Sequence, residues 1–276
     1  MSLADLLITA QSGSHPACKN CPWNPSRKHI NKPAYGVSCI QHGINWNSNV
    51  IAKSMLIAQD PAGTTPEKTG NLCGYCNARF STDHSAQHGF SLWKAAVSLI
   101  DSGPECNKYM KSHYWTNAIM HGIKDENNRE LARRCCQFIL TEQINFLQPQ
   151  VIIVTGKTAA ESAFNLGLIS KQWDEFKWDF SKHAHSEQVR LQTGSMATVF
   201  CTYHGSATAV NTHVARLYSE ETQKAILDRI DQLPDPMPAH RFLRQYQGNN
   251  GEDKGMKVLL LHWLEIGYAI RQANEN

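Results

Sequence analysis

The sequence lacks any apolar run long enough to cross a membrane. Its longest, residues 258–266, contains His262 and Glu265 and falls far short of the ~20 residues a spanning helix needs. The first residues, MSLADLLITAQSG, carry no basic stretch ahead of their apolar positions, so they do not read as a secretory leader. Low complexity and internal repeats are also missing, which excludes solenoid architectures. Nor is there a strong charge of one sign. Lys and Arg total 27 against 24 Asp and Glu, a net +3, so composition alone does not mark a nucleic-acid binder. A small excess can still be concentrated on one face, and 13 histidines add latent positive charge. What is present is 41% hydrophobic content over 276 residues, enough for one large α/β domain or two small ones. Nine cysteines, an odd number, in a chain expected to be cytoplasmic and monomeric point away from disulfides and towards metal ligation by some of them.

Short β-rich runs recur at 55–57, 114–116, 151–154 and 198–201. Helical patterns lie between them, at 91–100 and at 130–147, the latter with Leu131, Cys135, Phe138, Ile139 and Ile144 on one side and Gln148-Pro149 as its stop. This alternation predicts an α/β fold: three layers, αβα, around a mostly parallel four-stranded sheet. Ligands of such sheets bind beyond the carboxyl ends of the strands. There the sequence places Gln59-Asp60, Asn117, Gly156-Lys157 and His204-Gly205-Ser206. Residues 233–238, Leu-Pro-Asp-Pro-Met-Pro, read as a semi-rigid linker, between helices expected at about 219–232 and at 255–271. The domain reading is an α/β domain over 1–217 and a C-terminal helical extension over 218–276, packed on that core.

Four segments stand in order along the chain. They are Cys18-Lys-Asn-Cys21 with Arg27, Met55-Leu-Ile-Ala-Gln-Asp-Pro-Ala-Gly63, Tyr114-Trp-Thr-Asn117-Ala-Ile-Met-His121, and Cys201-Thr-Tyr-His204-Gly-Ser206. Leu147-Gln-Pro-Gln-Val-Ile-Ile-Val-Thr-Gly156 lies between the last two. Together they resemble the uracil-DNA glycosylase superfamily, its iron–sulfur branch in particular, over about residues 15–217. The resemblance implies a monofunctional DNA glycosylase. Such an enzyme flips a pyrimidine out of DNA and hydrolyses its bond to deoxyribose, leaving an abasic site.

The resemblance also implies roles. Asp60 would orient the attacking water and stabilise the sugar cation, since departure of the base leaves positive charge that a carboxylate favours. By itself, Asp60-Pro61 is an ordinary turn dipeptide. Asn117, with one donor and one acceptor, would read the Watson–Crick edge of the base, helped by Gln59. The orientation of the Asn117 amide then decides between uracil and cytosine. His204 would bond the base carbonyl as negative charge builds on it. Ser206, Gly63 and Lys157 would hold DNA phosphates. Gly205 departs from the proline of the family's His-Pro-Ser motif. Phe90 would stack on the flipped base, with Phe80 and Tyr75 as rivals, because residues 64–90 are longer and more irregular than the family's loop.

In the iron–sulfur branch two cysteines lie early, a third lies four residues after the base-reading Asn, and a fourth follows at about the position of Cys136. His121 stands where the third would be. The resemblance therefore implies a structural centre on Cys18, Cys21, His121 and Cys136, holding a [4Fe–4S] cluster or Zn²⁺. The residues alone leave a second arrangement open, Cys18 and Cys21 with Cys73 and Cys76 as a four-cysteine zinc site. Burial without a metal accounts for Cys201.

In the branch with Gln-Asp-Pro, a Tyr follows and fills the space beside pyrimidine C5. Here Ala62 and then Gly63 follow. The lost ring opens the pocket to a bulky C5 substituent, such as the glucosylated hydroxymethylcytosine of phage DNA, and so to a role in antiphage defence. Plain uracil repair is the alternative. A third reading, of a different class, is a metal-stabilised DNA-binding module without catalysis, which would have no need of a carboxylate at Asp60.

Overall fold

The computed structural model describes residues 3–19, 21, 52–59, 91–92, 95, 113–119, 129–176, 184–205, 207–233 and 235–275. Among these, five strands form one sheet: β1 (Ser54–Ala58), β2 (His113–Asn117), β3 (Val151–Thr155), β4 (His185–Arg190) and β5 (Met196–Thr202). Their order is β2-β1-β3-β5-β4. The first four in that order run parallel, and β4 pairs antiparallel with β5. The central β3 is Val-Ile-Ile-Val-Thr and is buried at every residue, which is what a parallel strand covered on both faces requires.

The fifth strand corrects the four expected. β4 reads His-Ser-Glu-Gln-Val-Arg and alternates half-buried with exposed. An edge strand is commonly polar, and charge there guards against sheet extension, so β4 carries no apolar run to betray it. A tight turn closes the β4–β5 hairpin. Gly194, at φ +90°, donates its N–H to the Leu191 carbonyl at 2.8 Å, a conformation that favours glycine.

The described helices are α1 (Leu3–Ser12), α2 (Arg129–Leu147), α3 (Lys157–Asn165), the single turn α4 (Trp173–Phe176), α5 (Ala207–Thr212), α6 (Glu220–Ile230), α7 (Met237–Gln245) and α8 (Gly251–Glu275). Helices α2 and α8 lie on opposite faces of the sheet. Tyr114 Oη donates to Gln143 Oε1 of α2 at 3.0 Å, while Thr202 Oγ1 and His262 Nδ1 of α8 are hydrogen-bonded at 2.9 Å. The register pairs Tyr114 with Met55, Met55 with Ile152 and Ile152 with Val199. Thr202 is three residues beyond Val199, and three steps of a strand reverse the face. The same alternation puts Asn117 and Thr155 on the α8 face.

The buried face of α2 is Ala132, Cys136, Ile139, Leu140, Gln143, Ile144 and Leu147. It is rotated from the expected one. Leu131 and Phe138 point to solvent at 46% and 65% exposure, because both sides of this helix carry apolar residues and the sequence alone could not choose between them. The six residues expected to be a linker are in part helical. Pro238 sits in the first turn of α7, where its fixed φ is favourable and its missing N–H costs nothing. Helix α8 begins earlier than expected, because Asn250 caps it by accepting the Asp253 N–H at 2.9 Å.

Helix α8 packs on the α/β core. Val258, Leu259, Leu260, Leu261, Trp263, Leu264 and Ile266 are all buried and belong to the same apolar cluster as β1, β3 and β5. Burying one such side chain is worth about 1.5–3 kcal/mol. A few of them therefore match the roughly 5–15 kcal/mol by which a whole domain is stable.

Candidate active site

The carboxyl ends of β1, β2, β3 and β5 meet along one edge of the sheet, and the loops beyond them carry the polar groups. Ala58, the last residue of β1, pairs with Asn117, the last of β2. The ladder continues past both strands: Ala118 donates its N–H to the Ala58 carbonyl at 2.8 Å, and Ile119 to the Gln59 carbonyl at 2.9 Å. Gln59 is thereby fixed beside Asn117. The Asn117 side chain is 5% exposed, and among the described residues no side chain bonds its amide.

Gly156 links the next two strands. It follows β3, donates its N–H to the Thr202 carbonyl of β5 at 2.9 Å, and caps α3 with φ +85° and ψ 169°, a region open only to glycine. The absence of a side chain brings two loops together. A Cβ on Gly156 would stand 2.9 Å from Gln59 Cδ and 3.0 Å from His204 Cβ. Gln59 and His204 thus close on one backbone position from either side, with the N-terminus of α3, favourable to negative charge, between them. The glycine was named in the sequence only as a residue following a strand. The Val-Thr-Gly-Lys step from strand to helix was the signal of its role.

Gly205 is buried and His204 half-buried. Tyr203, just before them, is held edge-on to Trp173 with ring centroids 5.1 Å apart, and Trp173 in turn meets Phe176 at 5.7 Å. Burial pushes the Tyr203 phenol up to about 12, so it stays neutral at ordinary pH. Lys157 is exposed at the start of α3, with Nζ 3.8 Å from Glu161 Oε1 and 3.6 Å from Asp174 Oδ2. Its charge is partly balanced by these two carboxylates. Asp60, Ala62, Gly63, Phe90, His121 and Ser206 lie outside the described residues, as do the rivals Phe80 and Tyr75.

Three cysteines gather where the N-terminal loop meets α2. Pro16–Cys18 forms a 3-10 turn, and Cys21 donates its N–H to the Cys18 carbonyl at 3.1 Å, which completes the C-x-x-C loop. His15 ties this loop to α2: its Nδ1 accepts the Ala17 N–H at 3.1 Å and its Nε2 meets Glu142 Oε1 at 3.2 Å. Cys135 lies two helical turns before Glu142 and so on the same face of α2. It lines a cleft with His15, Pro16, Ala17 and Glu142. Burial first, then a hydrogen bond with Cys21 and the nearby Cys18, push the Cys135 thiol up to about 12. Cys136 is buried in the apolar core instead. Among the described residues no three His, Cys, Asp or Glu side chains form a ready-made metal geometry. Cys18, Cys21 and Cys135 nevertheless approach one another from two segments.

A mostly parallel sheet with helices on both faces, and with Gln59, Asn117, Gly156 and His204 at its carboxyl edge, defines an αβα protein of the class whose ligands bind beyond the carboxyl ends of the strands. The model of the uracil DNA glycosylase superfamily matches residues 48–228, more than half of the chain, and the protein belongs to that superfamily. Its members act on DNA. No curated protein matches the chain. No described helix is long and apolar enough to cross a membrane.

Proposed function

We propose that the protein is a monofunctional DNA glycosylase that excises a flipped pyrimidine with a bulky group at C5, such as glucosylated hydroxymethylcytosine of phage DNA, in antiphage defence. The observation that carries the glycosylase reading is the placement of Gln59, Asn117 and His204 along the same carboxyl edge of the sheet in a member of this superfamily. In this reading Asn117 and Gln59 read the base edge while Phe90 stacks on its face. The bond from the base nitrogen to C1′ breaks, and its electron pair leaves with the base. His204 donates a hydrogen bond to the base carbonyl, where the negative charge collects. Water attacks C1′ and gives its proton to Asp60, and the departing base takes a proton from solvent. Ser206, Gly63 and Lys157 hold the flanking phosphates. The enzyme is proposed to act as a cytoplasmic monomer.

A metal centre belongs to the same reading. Cys18, Cys21 and His121 would hold a [4Fe–4S] cluster or Zn²⁺ with a fourth thiolate, which the chain spacing assigns to Cys136 and the contact with Cys21 supports as Cys135. Such a centre would fasten the N-terminal loop to α2 and take no part in the reaction.

The substrate rests on Ala62, where the branch with Gln-Asp-Pro has a Tyr. Mass spectrometry of the base released from uracil-containing, unmodified and phage-modified DNA decides it. Release of the C5-modified base is expected, and Ala62→Tyr should abolish that release while sparing action on uracil. Release of uracil alone would make the protein a uracil repair enzyme, the second reading, which the family's own name favours. Alkali-labile sites in none of these DNAs would leave a non-catalytic DNA-binding module.

A further inference from the structure

The family match ends at residue 228, inside α6, yet the longest helix of the described structure, α8, lies beyond it. This helix reaches the His204 loop from both ends. Before the loop, Thr202 Oγ1 and His262 Nδ1 are hydrogen-bonded at 2.9 Å in surroundings where both residues are fully buried. Thr202 is the last residue of β5, two before His204, and its carbonyl accepts the Gly156 N–H at 2.9 Å. After the loop, α5 begins at Ala207 and crosses α8 almost backbone to backbone. A Cβ on Gly255 would run into the Val210 carbonyl, and one on Gly251 would stand 3.0 Å from the Asn211 carbonyl. Two glycines one helical turn apart therefore let α8 lie on α5.

We infer that α8 is a brace for the His204 loop and that His262 is a positioning residue for the glycosidic reaction, acting through Thr202. The inference rests on the glycosylase reading for its kinetic consequence, while the brace itself does not. The physical case is one of economy of motion. A loop of a few residues between Thr202 and Ala207 moves little if its two ends are fixed to the same rigid helix. Thr202 also fixes Gly156, which both Gln59 and His204 touch, so one hydroxyl anchors the backbone beneath two site residues. A buried imidazole in an otherwise apolar stretch of α8 is costly unless its polar atoms are bonded. The position bonded here is at the sheet's carboxyl edge rather than deep in the core. Displacement of a reacting group by about 1 Å costs on the order of 10²-fold in rate, so a small loosening at Thr202 has a large kinetic reading.

The test uses Thr202→Val, nearly isosteric, and His262→Leu, each paired with a variant that keeps a hydrogen-bonding group, Thr202→Ser and His262→Asn. Single-turnover excision should fall roughly 10- to 100-fold in Thr202→Val and His262→Leu with KM changed by less than about 2-fold. Thr202→Ser and His262→Asn should recover most of that loss. In a His204→Ala background Thr202→Val should cost markedly less, because one of the two residues it positions is gone and only the part acting through Gly156 on Gln59 remains. An equal loss in both backgrounds would make the Thr202–His262 pair merely structural and overturn the inference. Amide exchange decides the brace without any substrate: His204 and Gly205 should exchange faster in Thr202→Val while β1 amides stay unchanged. Unchanged exchange at His204 and Gly205 would overturn the brace. Absence of base release by the wild type from every DNA offered would instead sink the glycosylase reading, and the exchange result would stand by itself.

Discussion

Gln59 and His204, carried on the loops after β1 and β5, meet over the backbone of Gly156, where a Cβ would be 2.9 Å from the one and 3.0 Å from the other. The site is narrow at this point because the residue between its two loops is a glycine with a backbone that other residues rarely adopt.

Gly156→Ala is therefore expected to act twice. Its φ of +85° and ψ of 169° cost a non-glycine residue about 1–3 kcal/mol, which a urea denaturation curve would register as a lower midpoint. The added methyl must also push Gln59 or His204 aside. Excision should fall by far more than the loss of folded protein accounts for, and a variant with full activity per folded molecule would show that the two loops need not touch.

Asp60→Asn should lower excision about 10²- to 10⁴-fold if the carboxylate takes the water's proton. DNA binding in a gel-shift assay should persist, since in the proposed mechanism this carboxylate acts on the sugar cation and holds no phosphate. Borohydride should trap no covalent adduct with the wild type, because Lys157, the lysine among the proposed site residues, is exposed and turned to Glu161 and Asp174. A trapped adduct would replace the hydrolytic mechanism with a covalent one.

The two adjacent cysteines of α2 should separate metal binding from packing. Cys135→Ser is expected to lower the metal content measured by elemental analysis, together with any visible thiolate–iron absorbance, in protein prepared without air or chelator. Cys136→Ser should keep the metal and lower the melting temperature, because this thiol sits in the apolar core. The opposite pattern would assign the fourth ligand to Cys136. No metal in the wild type would remove the centre altogether.

Acid should destabilise the fold through His113. Complete burial, with Lys53 nearby, lowers its pKa from 6.5 to about 3, and its Nδ1 is hydrogen-bonded to Ser54 Oγ at 2.7 Å. Between these two values the unfolded chain binds a proton that the folded chain refuses. Stability must then fall as pH drops from about 6.5 towards 3, and be insensitive to this group above that window. His113→Gln should flatten this acid limb whatever it does to stability at neutral pH. An unaltered slope in denaturation midpoints between pH 7 and 4 would contradict the assignment.

The parallel strands and the long helices were legible because their signals are local. Val151-Ile-Ile-Val-Thr155 is β-branched and continuous, and 130–147 is periodic and ends at Gln148-Pro149. The residues at the strand ends were legible for a related reason: a parallel sheet presents its carboxyl edge to ligands, so Gln59, Asn117 and His204 could be named from the ends of the apolar runs. β4 escaped because an edge strand has no apolar demand. The α2 face was misjudged because apolar residues lie on both of its sides, and only packing selects one.

The sequence by itself determined the class of fold, the family resemblance and the polar residues at each strand end, all of which are encoded in runs of a few neighbouring side chains. Tertiary structure alone decided which of those residues meet. The approach of Gln59 and His204 to Gly156 joins loops 145 positions apart on either side of β3, and the Thr202–His262 bond joins a strand end to a helix 60 positions later. Pairings at such separations depend on the register of the sheet and the crossing of α8 over α5, and no local pattern of residues records either.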